Sequence, residues 1–248
     1  MTDLSKLPDF TEARYRALVE TARERFRFRR LTDSLDEVAI ALWRHDIDFS
    51  PNRALALARI EADLGLPAIY FVLLGSPFYN PFEWKTRNVL QQIAALGHDI
   101  GLHYDASLID GSMPEHEAQI AFEAATLARW LDVPIRSFSL HNPTISVGVP
   151  LEERCHAGLV NASAPYWREE LSYCSDSNGI WRYRPLHEVI LDPSIQKLYA
   201  LTHPEWWTPD PLPPSVRVER CIKGRAERVA ADYRSFLLQH RPEVVDAT

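Results

Sequence analysis

The stretch VAIALWRHDID, residues 38–48, joins an apolar run to two carboxylates. The apolar run 38–43 predicts a buried strand that ends in polar residues. Side chains two positions apart on a strand share a face, so Asp46 and Asp48 should point into the same space. Two carboxylates that close raise each other's pKa unless a cation lies between them. This arrangement is typical of metal-dependent hydrolases, although a polar turn explains a lone Asp-x-Asp equally well.

The composition is that of a globular protein and excludes several functional classes. The chain has 248 residues, of which 46% are hydrophobic and 25% charged, and its net charge is −7. The basic segment 23–30 reads as a solvated helix end, so no nucleic-acid partner is expected. Three cysteines without C-x-x-C spacing predict neither a disulfide framework nor a thiolate zinc site. Without an apolar leader or a membrane-length run, we expect a cytoplasmic protein that does not insert into membranes.

Short apolar runs alternate with amphipathic stretches, which is the pattern of repeated β-α units. The predicted strands are 38–43, 68–74, 99–103, 136–141, 158–162, 171–175 and 197–203. The predicted helices are 11–27, 51–64, 83–96, 114–131 and 219–240. No linker is long enough to divide domains. The sequence therefore predicts one α/β domain over 1–248, a distorted (β/α)7-type parallel barrel. It would comprise an N-terminal helical segment (1–35), a barrel core (38–205), a closing helix (219–240) and a loose tail (242–248).

Ligand-type and acid–base side chains stand at the ends of five predicted strands. In parallel barrels these ends form the active site, and here they carry Asp46, Asp48, His103, His141, Asp176 and His203. One aspartate with two neutral imidazoles suits a divalent ion such as Zn²⁺ with a position left open for water. A free carboxylate, Asp46, could take the proton of that water, and His203 could protonate a leaving nitrogen.

The motifs RHDIDFS (44–50), GHDIGLHYD (97–105) and LTHP (201–204) resemble those of the polysaccharide deacetylases, the NodB-homology or carbohydrate esterase family 4. The order and spacing match over residues 38–205. The resemblance implies that Asp46 is the catalytic base, that Asp48 and His103 are metal ligands, and that His203 is the general acid. The stretch YCSDSNGIW (173–181) is similar to the motif whose aspartate, here Asp176, orients that acid.

Two departures from the family pattern concern the third metal ligand. The family's second metal histidine would fall at Ser107, and LHNP (140–143) replaces its arginine motif. Because residues 107 and 141 both follow strands at the same face of the barrel, we predict that His141 supplies the imidazole that Ser107 lacks. Asp105 is the rival third ligand.

The resemblance is strongest to a compact subgroup associated with bacterial surface-polysaccharide biosynthesis. It implies a Zn²⁺-dependent N-deacetylase of an N-acetylated sugar, on a nucleotide or lipid carrier, with substrate contacts expected from Arg44, Tyr104, Trp181 and Trp206. Two alternatives stay open at this point. One is a cyclic amide or ureide hydrolase of the same fold, for which the loss of a histidine at position 107 would mean loss of the metal. The other is a sugar-binding barrel without activity. The oligomeric state is not predicted.

Overall fold

The computed structural model of the chain describes residues 9–142 and 151–245. Its strands are β1 (Arg27–Arg29), β2 (Ile40–Ile47), β3 (Ile69–Leu73), β4 (Asp99–Tyr104), β5 (Ser137–Leu140), β6 (Cys155–His156), β7 (Leu159–Asn161), β8 (Ser172–Ser175) and β9 (Lys197–Thr202). Its helices are α1 (Glu12–Arg25), α2 (Pro51–Asp63), α3 (Trp84–Ala95), α4 (Met113–Leu131), α5 (Tyr166–Glu170), α6 (Leu186–Leu191), α7 (Pro214–His240) and α8 (Pro242–Val245). Short 3₁₀ turns occupy Ala106–Leu108, Ser177–Gly179 and Pro204–Trp206.

The strands form one sheet in the order β6-β7-β5-β4-β3-β2-β9-β8, with β1 paired to β2. Every pairing is parallel except that of β6 with β7. The sheet is curled. Three strands separate β7 from β2, yet Arg44 on β2 donates a hydrogen bond of 2.9 Å to the carbonyl of Ala162, just after β7. Within the described residues the ladder ends at β8 and β6 without closing. The predicted α/β class and distorted parallel barrel are therefore confirmed.

Alternation along β2 separates a chemical face from a packing face. Leu42, Arg44 and Asp46 point into the curl, where Leu42 packs in a buried cluster with Phe71 and Ala162. The intervening Trp43 lies in the large apolar core that includes side chains of α1 and α2. Both faces are buried, which explains why β2 is a nearly continuous apolar run up to its polar end.

The packing face of β2 also carries a buried polar cluster around His45. Its Nδ1 lies 2.8 Å from Thr202 Oγ1 on β9, and its Nε2 lies 2.6 Å from Glu61 Oε1 on α2. The hydroxyl of Tyr70 donates to the other oxygen of Glu61 at 2.6 Å. Burial raises the pKa of Glu61, but its interactions with His45, His98 and Tyr15 together outweigh burial and lower it. The cluster ties β2, β9 and α2 together behind the face that bears Asp46.

Local sequence rules account for the first crossover helix. Ser50 Oγ accepts a hydrogen bond from the amide of Arg53, and Pro51 occupies the first helical position. The helix ends before Gly65, whose φ of +73° is a left-handed conformation that glycine adopts without strain. This crossover begins directly after Asp48, so its capping fixes where the carboxyl end of β2 lies.

All seven predicted strands and five predicted helices are present, with ends shifted by a few residues. The prediction missed the short elements β1, β6, α5 and α6, which have too few residues for a periodic pattern. Helix α7 begins at Pro214 instead of 219, and residues 242–245 of the predicted loose tail are helical. Residues 1–8 and 246–248 of the predicted terminal segments lie outside the described residues. That residues 1–248 form a single domain stays a prediction. Over the described residues, no helix is both long and apolar enough to span a bilayer.

Candidate metal centre and active site

Three predicted ligands, from the carboxyl ends of β2, β4 and β5, converge on one point. Asp48 Oδ1 lies 3.2 Å from His103 Nε2 and 3.5 Å from His141 Nδ1, and the two ring nitrogens are 3.3 Å apart. Asp48 follows β2, His103 lies on β4 and His141 follows β5. The predicted trio is the one candidate metal group of its kind within residues 9–142 and 151–245.

The geometry of this trio fits a small divalent ion. Ligands about 2.0–2.2 Å from a tetrahedral ion lie about 3.3–3.6 Å apart, which matches the three observed separations. Asp48 Oδ1 is buried and has no hydrogen-bond partner among the described residues, so a cation would satisfy it. One carboxylate and two imidazoles form a donor set typical of Zn²⁺ and related ions.

Neighbouring side chains orient the two imidazoles. Ser139 Oγ lies 2.7 Å from His103 Nδ1, so that Nε2 faces Asp48. The side-chain amide of Asn142 lies 2.8 Å from His141 Nε2. Rotation about the last side-chain bond of Asn142 exchanges its amide nitrogen and oxygen. When the oxygen faces His141 Nε2, the imidazole proton lies on Nε2 and Nδ1 is free to bind a metal. Such partners fix the tautomer and the direction of a metal-binding histidine.

Ser139 was not among the site residues predicted from the sequence. Successive side chains of β5 point to opposite faces of the sheet. Ser137 and Ser139 face the inside of the curl, and Phe138 packs outward with Leu102 and Tyr104. Two small polar residues at alternating positions of an otherwise apolar strand were the available signal. They mark the face of β5 that meets the polar residues of β4.

Asp46 lies beside the trio but is held by a different partner. Arg44 donates from Nε to Oδ1 at 2.8 Å and from Nη2 to Oδ2 at 2.7 Å, and both side chains are buried. Asp46 Oδ2 is 3.7 Å from His103 Nε2. Burial raises the pKa of Asp46, but the charge and hydrogen bonds of Arg44, together with the nearby imidazoles of His103 and His203, outweigh burial and lower it. The carboxylate is therefore ionised at neutral pH and can accept a proton from a nearby water.

Arg44 was predicted to contact substrate, but its donors are used inside the protein. Besides the two bonds to Asp46, its Nη1 donates to the carbonyl of Ala162 at 2.9 Å and to Tyr199 Oη at 3.2 Å. Arg44 also lines the cavity described below, so its contact with substrate stays a prediction, although its observed partners all belong to the protein. Residues 44 and 46 share a face of β2, which is why the pair forms.

On the other side of the site, His203 is held by Asp176, as the sequence predicted. Asp176 Oδ1 accepts hydrogen bonds from His203 Nδ1 at 2.7 Å and from its backbone amide at 2.9 Å. Asp176 Oδ2 accepts a bond of 2.8 Å from Trp207 Nε1. Burial lowers the pKa of His203, but the hydrogen bond and charge of Asp176 outweigh it and raise the pKa to about 10. His203 is therefore a cation at neutral pH and can donate a proton.

The structure corrects two of the predicted substrate contacts. Tyr104 is buried outside the curl, where its hydroxyl lies 2.7 Å from His116 Nδ1 on α4. Because His103 points inward, its neighbour on the strand has to point outward. Trp181 packs against Phe10 and Trp207, at centroid distances of 5.4 and 6.0 Å, and does not line the cavity. Each of these aromatic rings stabilises the barrel wall.

Trp206 and Asp105 are the two remaining candidate positions. Trp206 lines the cavity and remains a predicted substrate contact. Asp105, the rival third ligand, instead accepts hydrogen bonds from the amide and the hydroxyl of Ser107 at 3.0 and 2.6 Å. It caps the turn Ala106–Leu108 and does not belong to the metal group. His141 is thus the third ligand that the geometry favours.

These groups line one cavity of about 370 Å³ at the carboxyl ends of the strands. Its lining contains the candidate catalytic and metal-binding side chains, namely Asp46, Asp48, His103, His141 and His203. The lining also contains Arg168, Tyr173, Ser177, Asn178 and Arg182. The cavity therefore combines a candidate metal centre, an ionised carboxylate and an imidazolium, which together can hydrolyse an acyl bond.

No family model and no curated protein sequence matches the chain. Among solved structures, a carbohydrate esterase family 4 domain of a xylanase from the hindgut metagenome of Trinervitermes trinervoides is 12% identical, with a TM-score of 0.44 over 76% of this chain and 82% of that one. A family 4 acetyl xylan esterase from Clostridium thermocellum, in complex with a cobalt ion, is 13% identical (TM-score 0.40; 76% and 83% covered). The Streptococcus pyogenes deacetylase PplD, in complex with acetate, is 11% identical (TM-score 0.40; 60% and 78% covered). At such low similarity, the functional argument rests on the residues of the site.

Proposed function

We propose that the chain is a metal-dependent deacetylase of the polysaccharide deacetylase type, which removes the N-acetyl group of a sugar. The observation that carries this proposal is the Asp48, His103 and His141 trio, with separations of 3.2–3.5 Å, in one cavity with Asp46 and His203. The resemblance of motifs 44–50, 97–105 and 201–204 to that family supports the same assignment.

The side chains divide the work of amide hydrolysis between them. Asp48, His103 and His141 would hold a divalent ion, for which Zn²⁺ is our proposal. When bound, such an ion supplies Lewis acidity that polarises a carbonyl and lowers the pKa of water from about 15.7 to about 7. Asp46, fixed by Arg44, accepts the proton of the attacking water. His203, held protonated by Asp176, donates a proton to the departing sugar nitrogen.

The substrate we propose is an N-acetylated sugar on a nucleotide or lipid carrier, processed in the cytoplasm during surface-polysaccharide biosynthesis. This proposal rests on the compact motif set, and above all on THPEWW (202–207), which follows the last barrel strand. Trp206 from this stretch lines the cavity and offers an aromatic face on which a sugar ring can stack.

We expect metal removal to abolish acetate release from N-acetylated nucleotide sugars. The Asp48 carboxylate and both imidazoles would lose their shared ion, and no other described side chain completes such a group. The test compares protein as purified, protein stripped with a chelator, and stripped protein given Zn²⁺, with bound metal measured in parallel. About one ion per chain should restore activity.

The same experiment separates the alternatives. Hydrolysis of a cyclic ureide that survives metal removal would favour the metal-free hydrolase. Metal-loaded protein that binds N-acetyl sugars but never releases acetate would favour the inactive sugar-binding barrel. Either result contradicts the proposed function.

Replacing Asp176 by Asn should move the alkaline limb of the pH–rate profile to lower pH. In the wild type, the raised pKa keeps His203 protonated up to about 10. Without the carboxylate charge, the pKa should fall towards the ordinary value of about 6.5. Profiles of kcat/KM between pH 5 and 11 measure the shift, and an alkaline limb that stays in place would exclude His203 as the acid.

The raised pKa of His203 also makes the stability of the folded protein depend on pH. Because the folded state binds this proton more tightly, the pair contributes its full stability below about pH 6.5. That contribution is lost as the pH rises through the folded-state pKa of about 10. Urea unfolding at pH 6 and pH 10 should therefore differ more in the wild type than in Asp176→Asn.

A further inference from the structure

One wall of the cavity, around Arg168 and Arg182, is cationic. Arg168 on the short helix α5 and Arg182, which follows the turn after β8, both line it with exposed side chains. The two arginines lie on either side of β8 in the sequence, and different elements bring them to the same cavity. This wall has no role in the proton transfers described above.

Neither arginine has an acidic partner. Among the described residues, no carboxylate oxygen lies within ion-pair distance of the guanidinium of Arg168 or Arg182. By contrast, Arg184, two positions from Arg182, pairs with Asp192 at 3.0 Å. In a chain with a net charge of −7, two unpaired arginines at one cavity wall are a local reversal of the overall charge.

The carboxylates of the cavity itself are already engaged. Asp46 is neutralised by Arg44 through two hydrogen bonds, and Asp48 faces the imidazoles of the metal group. They form no ion pair with Arg168 or Arg182. The positive charge of Arg168 and Arg182 is therefore available to a bound molecule.

Local contacts hold both arginines at the rim. The guanidinium of Arg168 lies over the ring of Tyr173, 5.0 Å from its centroid, and Tyr173 also lines the cavity. The backbone amide of Arg182 donates to the carbonyl of Ser175 at 3.0 Å, which anchors the start of its side chain beside β8. Stacked guanidinium groups lose little freedom when they bind an anion.

We propose that Arg168 and Arg182 form a subsite for an anionic group carried by the N-acetylated sugar. The inference rests on the proposed function and narrows its substrate class to N-acetylated sugars that bear an anionic group, either on the carrier or on the sugar ring. Guanidinium groups bind phosphate and carboxylate oxygens through paired hydrogen bonds. The anion could come from the diphosphate of a carrier or from the carboxylate of a uronic acid, two sources of the same chemistry.

The test compares three N-acetylated substrates with the metal-loaded enzyme: a neutral amino-sugar oligomer, a nucleoside diphosphate sugar and a hexosaminuronate. The double variant Arg168→Gln/Arg182→Gln should raise KM for the acidic substrates by about 10–100-fold, since each charge-assisted contact is worth roughly a factor of ten. Its kcat and its activity on the neutral oligomer should be unchanged. The ratio of the effects on diphosphate and uronate substrates identifies the source of the anion.

Arg59→Gln is the matched control, because Arg59 is an exposed arginine on α2 outside the cavity. Equal KM changes for neutral and acidic substrates, or an equal effect of Arg59→Gln, would overturn the subsite. Calorimetric titration with uridine diphosphate gives a readout without turnover. Binding that depends on Arg168 and Arg182 in an enzyme that releases no acetate would refute the proposed function and retain the subsite. Binding of equal strength in wild type and double variant would refute the subsite alone.

Discussion

Asp46→Asn should lower kcat for acetate release by about 10²–10⁴-fold and leave the bound metal at the wild-type level. Asp46 lies outside the trio of metal-facing atoms, with Oδ2 3.7 Å from His103 Nε2. It is therefore placed to accept a proton without serving as a ligand. An amide cannot accept that proton, but it keeps the size of the carboxylate and one hydrogen-bond acceptor for Arg44.

The control for this variant has to address stability. Breaking a buried ion pair by removing one partner costs roughly 3–5 kcal/mol, because the remaining charge stays buried. Some loss of unfolding free energy is expected for Asp46→Asn, since Arg44 keeps one hydrogen-bond acceptor but loses the negative charge of its partner. Activity should be compared at a temperature where metal content and circular dichroism match the wild type. Asp63→Asn, at an exposed ion pair with Arg16, is the matched control. An Asp46→Asn enzyme within a few-fold of wild-type kcat would exclude Asp46 as the base.

His141→Ala should abolish deacetylation by removing one of three protein ligands from the metal. Loss of a residue that only hydrogen-bonds to a metal ligand costs about 10–100-fold in metal affinity, and loss of a ligand itself should cost more. Competition with a chromogenic chelator measures the affinity directly. The expected result is a protein that folds normally and retains little metal after dialysis.

Asp105→Ala provides the comparison, since Asp105 was the competing ligand and instead caps a surface turn with Ser107. It should keep wild-type metal affinity. An inactive His141→Ala protein with wild-type affinity would remove His141 from the metal group. Loss of metal in Asp105→Ala would place the third ligand there.

Much of the fold was predictable because the long elements have clear periodic patterns. The apolar runs of β2, β3 and β9 are buried on both faces, and their sequences reveal the strands with no tertiary information. The elements β1 and β6 have three and two residues, so only pairing with a neighbouring strand defines them. Pairing is a tertiary property that one sequence does not display.

The candidate metal ligands could be predicted from the sequence, but several of the side chains around them could not. Strand ends brought Asp48, His103 and His141 together, and Asp176 with His203, because parallel strands deliver their carboxyl ends to one edge. Tyr104 was misplaced although strict alternation from His103 gives its direction. The Arg44–Asp46 pair likewise follows from their shared face. Ser139 and Arg168 escaped notice because contacts between distant elements give them their roles.

The cluster of His45, Thr202 and Glu61 has an evolutionary consequence. It braces the two strands that lead to the proton acceptor and the proton donor, and it does so entirely from the side away from the cavity. Mutations that reshape the rim loops can therefore accumulate without loosening the catalytic frame. A barrel built this way can acquire new sugar preferences by drift in its loops while its chemistry is inherited unchanged.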